Sequence, residues 1–157
     1  MTNLRSPAKK VKPLTTSERP LGDLLREAHR TLVTHLEHAI ATAGYRDVGA
    51  PHVSVLATVD PAGTRLVELA ARGGRTKQAT AELCTALVQR GYLELQPDPT
   101  DGRAKLYAVT KPGRRLLDAC QDVVVDYETW LDKAVGADAV AQLRATLTTI
   151  IERPIAQ

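Results

Sequence analysis

The chain has 157 residues, a net charge of +3, 43% hydrophobic residues and 3% aromatics, with no Phe. That length suits one domain, or one domain with an assembly arm, whose core of Leu, Val, Ile and Ala favours helix-on-helix packing. No apolar run reaches the ~18 residues of a membrane span, no apolar segment suggests a secretion signal, and the distant pair Cys84 and Cys120 makes no disulfide framework, so a cytoplasmic protein without membrane contact is expected.

Residues 1–19 are rich in Pro, Lys, Ser and Thr without an apolar period, and read as a flexible basic arm. A first helix is expected over Leu21–Ala43, where Leu21, Leu24, Leu25, Ala28, Leu32, Leu36 and Ile40 recur at helical spacing. Pro20 suits its first turn and Gly44 its stop. A short helix, Pro51–Val59, ends at Asp60-Pro61-Ala62-Gly63, and Thr64-Arg65 reads as one short strand. Leu66–Arg72 is a helix burying Leu66, Leu69 and Ala70. Gly73-Gly74 then supplies the positive φ that a tight inter-helix turn needs.

The next helix, Thr76–Arg90, takes Thr76 as N-cap and turns Ala79, Leu83, Ala86 and Leu87 inward. Gly91 closes it. Two extended runs follow, Tyr92–Gln96 and Lys105–Val109, joined by a loop over Pro97–Arg103, with Leu93 and Leu95 alternating against Glu94 and Gln96. Thr110 caps a long helix to about Val135, with Pro112 in its first turn and a stripe through Leu116, Cys120, Val123, Val124, Tyr127 and Leu131. Gly136 breaks it. Asp138 is expected to cap a last helix carrying Val140, Leu143, Leu147, Ile150 and Ile151, and Pro154 ends the order.

Charge is segregated along this order. Residues 65–115 hold ten basic and five acidic groups, residues 116–157 three and seven, residues 20–64 three and five, and the first 19 residues five and one. Positive charge therefore collects in the tail and around the helix–turn–helix, as a phosphate-facing surface requires, although a solvated charged face would look alike.

The hairpin and its surroundings are specific. Asp98-Pro99-Thr100-Asp101-Gly102-Arg103-Ala104-Lys105, then Thr110-Lys111-Pro112-Gly113, together with Leu69-Ala70, Gly74, Thr76-Lys77-Gln78, Leu83, Leu87 and Arg90-Gly91-Tyr92-Leu93-Glu94, resemble the MarR family of bacterial winged helix-turn-helix transcriptional regulators over residues about 20–152. The implied fold is mainly α with a small β wing: a winged helix-turn-helix lobe at 51–110 and a helical dimerisation region at 20–50 and 111–157. The resemblance implies a homodimer on a pseudo-palindromic double-stranded DNA operator, a repressor being the expected sign, with a small aromatic or phenolic effector as a further partner. Arg75 and Thr80 stand where the family is usually apolar, Gly73 where an apolar residue is common, and Leu95 where it often has Arg.

Position assigns roles. Lys77 is a phosphate clamp or a guanine reader, Gln78 can pair with an adenine edge, and Glu82 can accept from a cytosine amine, unless it is only a solvated charge. Arg75 and Ala81 belong to the same DNA-facing set. Thr76 acts as cap, with or without a phosphate contact. Arg103 at the wing tip resembles the family's minor-groove arginine, Lys105 faces phosphates, and Asp101 supports the wing by pairing with Arg103 or with a nearby backbone N–H. By family analogy His29, Tyr45, His52 and Arg72 are candidates to line an effector pocket.

Other chemistry finds little footing. His29, His35 and His38 with Glu37 offer no converging ligand set, so no metal is expected and the histidines read as core or interface groups. Cys84 and Cys120 read as small buried hydrophobes. No phosphate-binding glycine loop, catalytic pair or cysteine–histidine constellation marks an enzyme, and no cofactor is implied. The competing reading is a winged-helix dimer that serves as a protein-interaction module with weak or lost operator binding.

Overall fold

The structure, a computed structural model, describes residues 19–153. The basic arm expected over 1–19 lies outside the described residues except for Arg19, as does Pro154. The chain divides after Thr34 into two compact units.

The first unit holds the opening turns of α1 (Leu21–Thr42). Pro20 accepts from Asp23 N at 2.9 Å, and Asp23 places negative charge where the helix start favours it. Arg19 pairs with Glu27 and Arg26 with Asp23 along the surface. Leu21 is 63% exposed, and His29 is exposed as well.

The second unit begins with the last turns of α1 and continues through α2 (Ala50–Leu56), α3 (Leu66–Arg72), α4 (Lys77–Gln89), β1 (Leu93–Asp98), β2 (Asp101–Val109), α5 (Lys111–Val135) and α6 (Ala137–Glu152). Its core is Ile40, Val55, Leu56, Leu69, Cys84, Leu87, Leu93, Leu116 and Cys120, aliphatic and thiol side chains with no aromatic ring among them. The element order and the mainly helical fold with one small wing are those expected.

Several boundaries move for physical reasons. The second helix stops at Leu56 rather than Val59, because Thr58 N and Val59 N bond to Val55 O and Leu56 O, a tightening to i→i+3 turns. The strand expected at Thr64-Arg65 shrinks to a single bridge between Thr64 and Tyr107, since Arg65 already serves as N-cap of α3. Leu66 is only partly buried, whereas Leu69 and Ala70 are buried. In the turn, Gly74 alone has positive φ, at +59°, while Gly73 is right-handed at −81°. The α4 stripe is rotated: Thr80, Cys84 and Leu87 are buried and Leu83 is half-buried. Thr80 tolerates this because its hydroxyl donates to Thr76 O at 3.0 Å.

The hairpin is longer than expected. Its strands pair from Leu93↔Val109 out to Pro97↔Lys105, then close at Asp98↔Asp101 after an irregularity, leaving Pro99-Thr100 as the tip. A two-stranded sheet has only edges, so Pro97 forfeits no interior ladder bond. Only Leu93 and Asp98 of β1 are buried, and Leu95 is 51% exposed, because the wing leaves the core after its first residue.

Thr110 caps α5, accepting from Gly113 N at 3.1 Å and donating to Gly91 O at 2.6 Å. A Cβ on Gly113 would lie 2.2 Å from Tyr92 O, so the helix start and the wing root touch through bare backbone. The last helix takes Gly136, not Asp138, as its N-cap, and Asp138 sits within the first turn. No residue of α6 is buried. Leu143, Ile150 and Ile151 are half or more exposed, as are Val125, Trp130 and Val135 on α5. Arg144 and Glu128 link the two helices at 2.9 Å.

Candidate nucleic-acid interface

The α4 helix divides its residues between two tasks. Thr80, Cys84 and Leu87 anchor one side, which leaves Lys77, Gln78 and Glu82 exposed on the other, with Ala81 half-buried between them. Thr76 Oγ1 accepts from Ala79 N at 3.2 Å, satisfying one of the open donors at the helix start. Gln78 Nε2 reaches Glu82 Oε1 at 3.4 Å, so these groups share one patch one turn apart. Arg75 is half-buried, its Nη1 at 3.4 Å from Ser54 Oγ.

On the wing, Arg103 and Lys105 are exposed, and Asp101 Oδ1 accepts from Arg103 N at 3.1 Å. The cations of the lobe fall into two sets. Arg65 is paired with Asp98 at 2.6 Å, and Arg72 with Asp60 at 2.7 Å. Ion pairs among the described residues do not use Arg75, Lys77, Arg103 or Lys105. A guanidinium or ammonium without a carboxylate partner is free to neutralise a phosphate.

The wing is held by a cluster that sequence reasoning missed. Asp98 is 5% exposed at the strand end. Its Oδ1 accepts from Thr100 N at 2.8 Å and from Thr100 Oγ1 at 2.7 Å, and its Oδ2 accepts from Arg65 Nε at 2.6 Å. Arg65 Nη2 also donates to Thr100 Oγ1 at 3.1 Å. The Thr100 hydroxyl and backbone N–H, then Arg65, hold the Asp98 carboxyl down at about 2. An Asp two residues before a Thr is a local turn signal in the sequence, but the reach of Arg65 across 33 residues has no such signal.

Of the residues expected around an effector, His29 is exposed on α1, and Tyr45, His52 and Arg72 have separate partners. Tyr45 lies against Tyr92 with ring centres 6.4 Å apart. His52 Nδ1 accepts from Gly49 N at 3.2 Å, and its Nε2 is 2.9 Å from Arg90 Nη1. Burial, then the Arg90 charge, lower the His52 pKa. Arg72 donates to Thr58 O at 2.8 Å and to Asp60, fastening the turn before α3. His35, expected as a core or interface group, is exposed here with its ring 5.5 Å from that of Tyr127.

A half-open pocket of about 220 Å³ lies among α1, α2 and α5 instead, lined by Leu36, Glu37, Ile40, Ala50, Val53, Ser54, Cys120 and Val124. His29, Tyr45, His52 and Arg72 are not part of that lining. Glu37 Oε1 accepts from Ala50 N at 2.8 Å. Cys84 and Cys120 are buried free thiols, and burial pushes Cys84 up to about 11 and raises Cys120 as well. No helix among the described residues is long and apolar enough to cross a membrane.

Residues 46–104 match the model of the MarR family. Among solved structures, CouR bound to a 23-mer DNA duplex is 25% identical, with a TM-score of 0.75 over 89% of this chain and 99% of that one. A mutant MarR from E. coli complexed with operator DNA is 26% identical, with a TM-score of 0.73 over 88% and 99%. CouR from Rhodococcus jostii bound to p-coumaroyl-CoA is 26% identical, with a TM-score of 0.68 over 87% and 95%. No curated protein matches the chain by sequence.

Proposed function

We infer that this chain, which belongs to the MarR family and carries its winged-helix fold, is a cytoplasmic, sequence-specific repressor that binds an operator as a homodimer and is released by a small molecule. The observation that carries the reading is the division of cations in the lobe. Arg65 and Arg72 are spent on carboxylates, while Lys77 on the first turn of α4 and Arg103 and Lys105 on the wing are exposed and unpaired. Lys77 and Gln78 would meet base edges or phosphates of the major groove, and Arg103 the neighbouring minor groove.

Dimerisation is supported by the apolar surface at the end of the chain. Val125, Trp130 and Val135 on α5 and Leu143, Ile150 and Ile151 on α6 are exposed in the single chain, more apolar surface than one small helix pair leaves in water without purpose. A second copy about a two-fold axis covers such a face and places two reading helices on half-sites about one helical turn apart. Residues 20–50 and 111–157 form the dimerisation region and 51–110 the reading lobe in this account. Release by an effector is supported by the cavity among α1, α2 and α5.

The decisive experiment is a mobility shift on the DNA upstream of the gene at graded salt. A regulator making 6–10 phosphate contacts loses about 10³–10⁵ in affinity between 50 and 200 mM salt. A chain that ignores this DNA at low salt would instead be a protein-interaction module, and a monomer in sedimentation would remove the paired heads.

A further inference from the structure

Resting on the regulator reading above, we propose that Glu82 determines the specificity of α4 by exclusion: its carboxylate opposes every duplex that does not turn an adenine or cytosine amino group toward it, and it holds the Gln78 amide so that the pair selects amine-bearing bases over guanine and thymine. Placement comes first. Gln78, Glu82, Thr85 and Gln89 are all exposed, and they recur at steps of four, three and four, so they form one ridge on the side of α4 away from the buried Thr80, Cys84 and Leu87. Residues in the first turns of such a helix reach the base edges, and Gln78 and Glu82 occupy the first and second turns. The one anion of α4 therefore stands on its reading ridge, and its one cation, Lys77, stands beside it.

Hydrogen-bond bookkeeping then sets the preference. A carboxylate only accepts, and the donors that a major groove displays are the adenine N6 and cytosine N4 amines. Guanine O6 and N7 and thymine O4 would set lone pairs against it, with phosphates on either side and little water left to screen the charge. Gln78 alone is less selective. Its two N–H donors and its carbonyl suit an adenine edge, but the two donors together also suit the two acceptors of guanine. Gln78 Nε2 lies 3.4 Å from Glu82 Oε1, a long contact of the kind that i,i+4 neighbours make. With one donor turned to Glu82, the other donor and the carbonyl still match N7 and N6 of adenine, and guanine loses a partner.

Affinity and choice thus come from different residues. Lys77, Arg103 and Lys105 attract any duplex. Glu82 opposes any duplex and is compensated only where an amine faces it, which is the repulsive component that discrimination between partners needs.

The test is selection by the full chain from a pool of duplexes with a randomised centre, followed by sequencing, together with anisotropy titrations of the selected duplex and of a scrambled one. The wild-type pool should carry adenine or cytosine at neighbouring positions of each half-site. Glu82→Gln keeps the size of the side chain and removes its charge. It should admit guanine or thymine at those positions, lower the preference for the selected duplex over the scrambled one by about tenfold or more, and bind the scrambled duplex about threefold tighter. Gln78→Ala should lose the adenine position alone. Because Glu82 is exposed, the urea midpoint of Glu82→Gln should match that of the wild type, which separates base selection from folding. A consensus that Glu82→Gln leaves intact, or a scrambled duplex that it binds no more tightly, overturns the proposal and leaves the regulator reading standing. A wild-type pool that converges on no sequence removes that reading, and the proposal with it.

Discussion

Gly113→Ala is the sharpest test of how the wing is joined to the rest of the lobe. A methyl group there would sit 2.2 Å from Tyr92 O and 3.0 Å from Val109 Cγ1, and the first of these is backbone with little freedom. Tyr92 O accepts from Thr110 N and from Thr110 Oγ1, each at 3.1 Å, and Tyr92 N bonds to Leu87 O at 2.9 Å. Relief requires the wing root or the first turn of α5 to withdraw by an ångström or more. Alanine in a helix returns about 1 kcal/mol of propensity over glycine. Against that, two hydrogen bonds to Tyr92 O at about 1 kcal/mol each are broken or stretched, and the Thr110 cap is weakened by about 1 kcal/mol. With residual overpacking, the net loss is about 2–4 kcal/mol. Urea denaturation at matched protein concentration should show the midpoint falling by about 1–2 M for an m value near 2 kcal/mol/M. A variant as stable as the wild type would mean that α5 does not start against the wing root, and the placement of the wing would have to be redrawn.

Arg103→Ala should weaken operator binding by about 1–3 kcal/mol in a mobility shift while leaving the urea midpoint unchanged, because the side chain is exposed and forms no ion pair among the described residues. Thr80→Val should alter stability by less than about 1 kcal/mol in the same denaturation assay, since Thr76 O, which accepts the hydroxyl at 3.0 Å, also accepts Thr80 N at 3.0 Å and stays satisfied. Asp98→Asn should be less stable than the wild type at pH 7 and approach it in acid. The folded pKa of Asp98 is depressed to about 2 from 3.8, so its contribution is complete above pH 3.8 and is lost as pH falls through about 2; a difference that persists undiminished at the acid end would exclude the carboxylate as its source.

The sequence was most legible where a local rule carries the structure. Thr76 and Thr110 each precede a helix and cap it, and the Gly136 break needed no knowledge of distant contacts. It was least legible where distant groups decide. Alternation suggested that Leu95 shares a face with Leu93, but the wing has nothing to pack on beyond its root, so Leu95 faces water. Thr80 was left off the apolar side of α4 although the resemblance puts an apolar residue there, yet its hydroxyl finds a carbonyl one turn back, and the buried face of α4 rotates to include it. Two prolines and a glycine suggested a long loop at Pro97–Arg103. Asp98 binds Thr100 and Arg65 at once, and the strands continue to a two-residue tip. The residues proposed to face DNA were named from position and family resemblance. Glu37 and Ser54 could not be named that way, because a cavity wall is made by three segments far apart in sequence.

The arrangement of charge shows how a chain of net charge only +3 can still expose unpaired cations on one lobe. Charge bound in a short ion pair is nearly invisible a Debye length of about 10 Å away, so Arg65 and Arg72 contribute shape instead of field. Each is used where two distant segments must be fastened: Arg65 joins the start of α3 to the wing tip, and Arg72 joins the end of α3 to the turn at Thr58–Asp60. The Arg65 fastening ties the hairpin tip, and with it the strand that carries Arg103 and Lys105, to the start of α3. Arg65 thus helps to fix where the wing cations stand, and Arg65→Ala is expected to weaken operator binding by displacing the wing, without subtracting a phosphate contact. The two kinds of loss differ in salt dependence: a lost phosphate contact lowers the slope of log affinity against log salt by about 1, whereas a misplaced wing lowers affinity and also relaxes the preference for operator over other DNA.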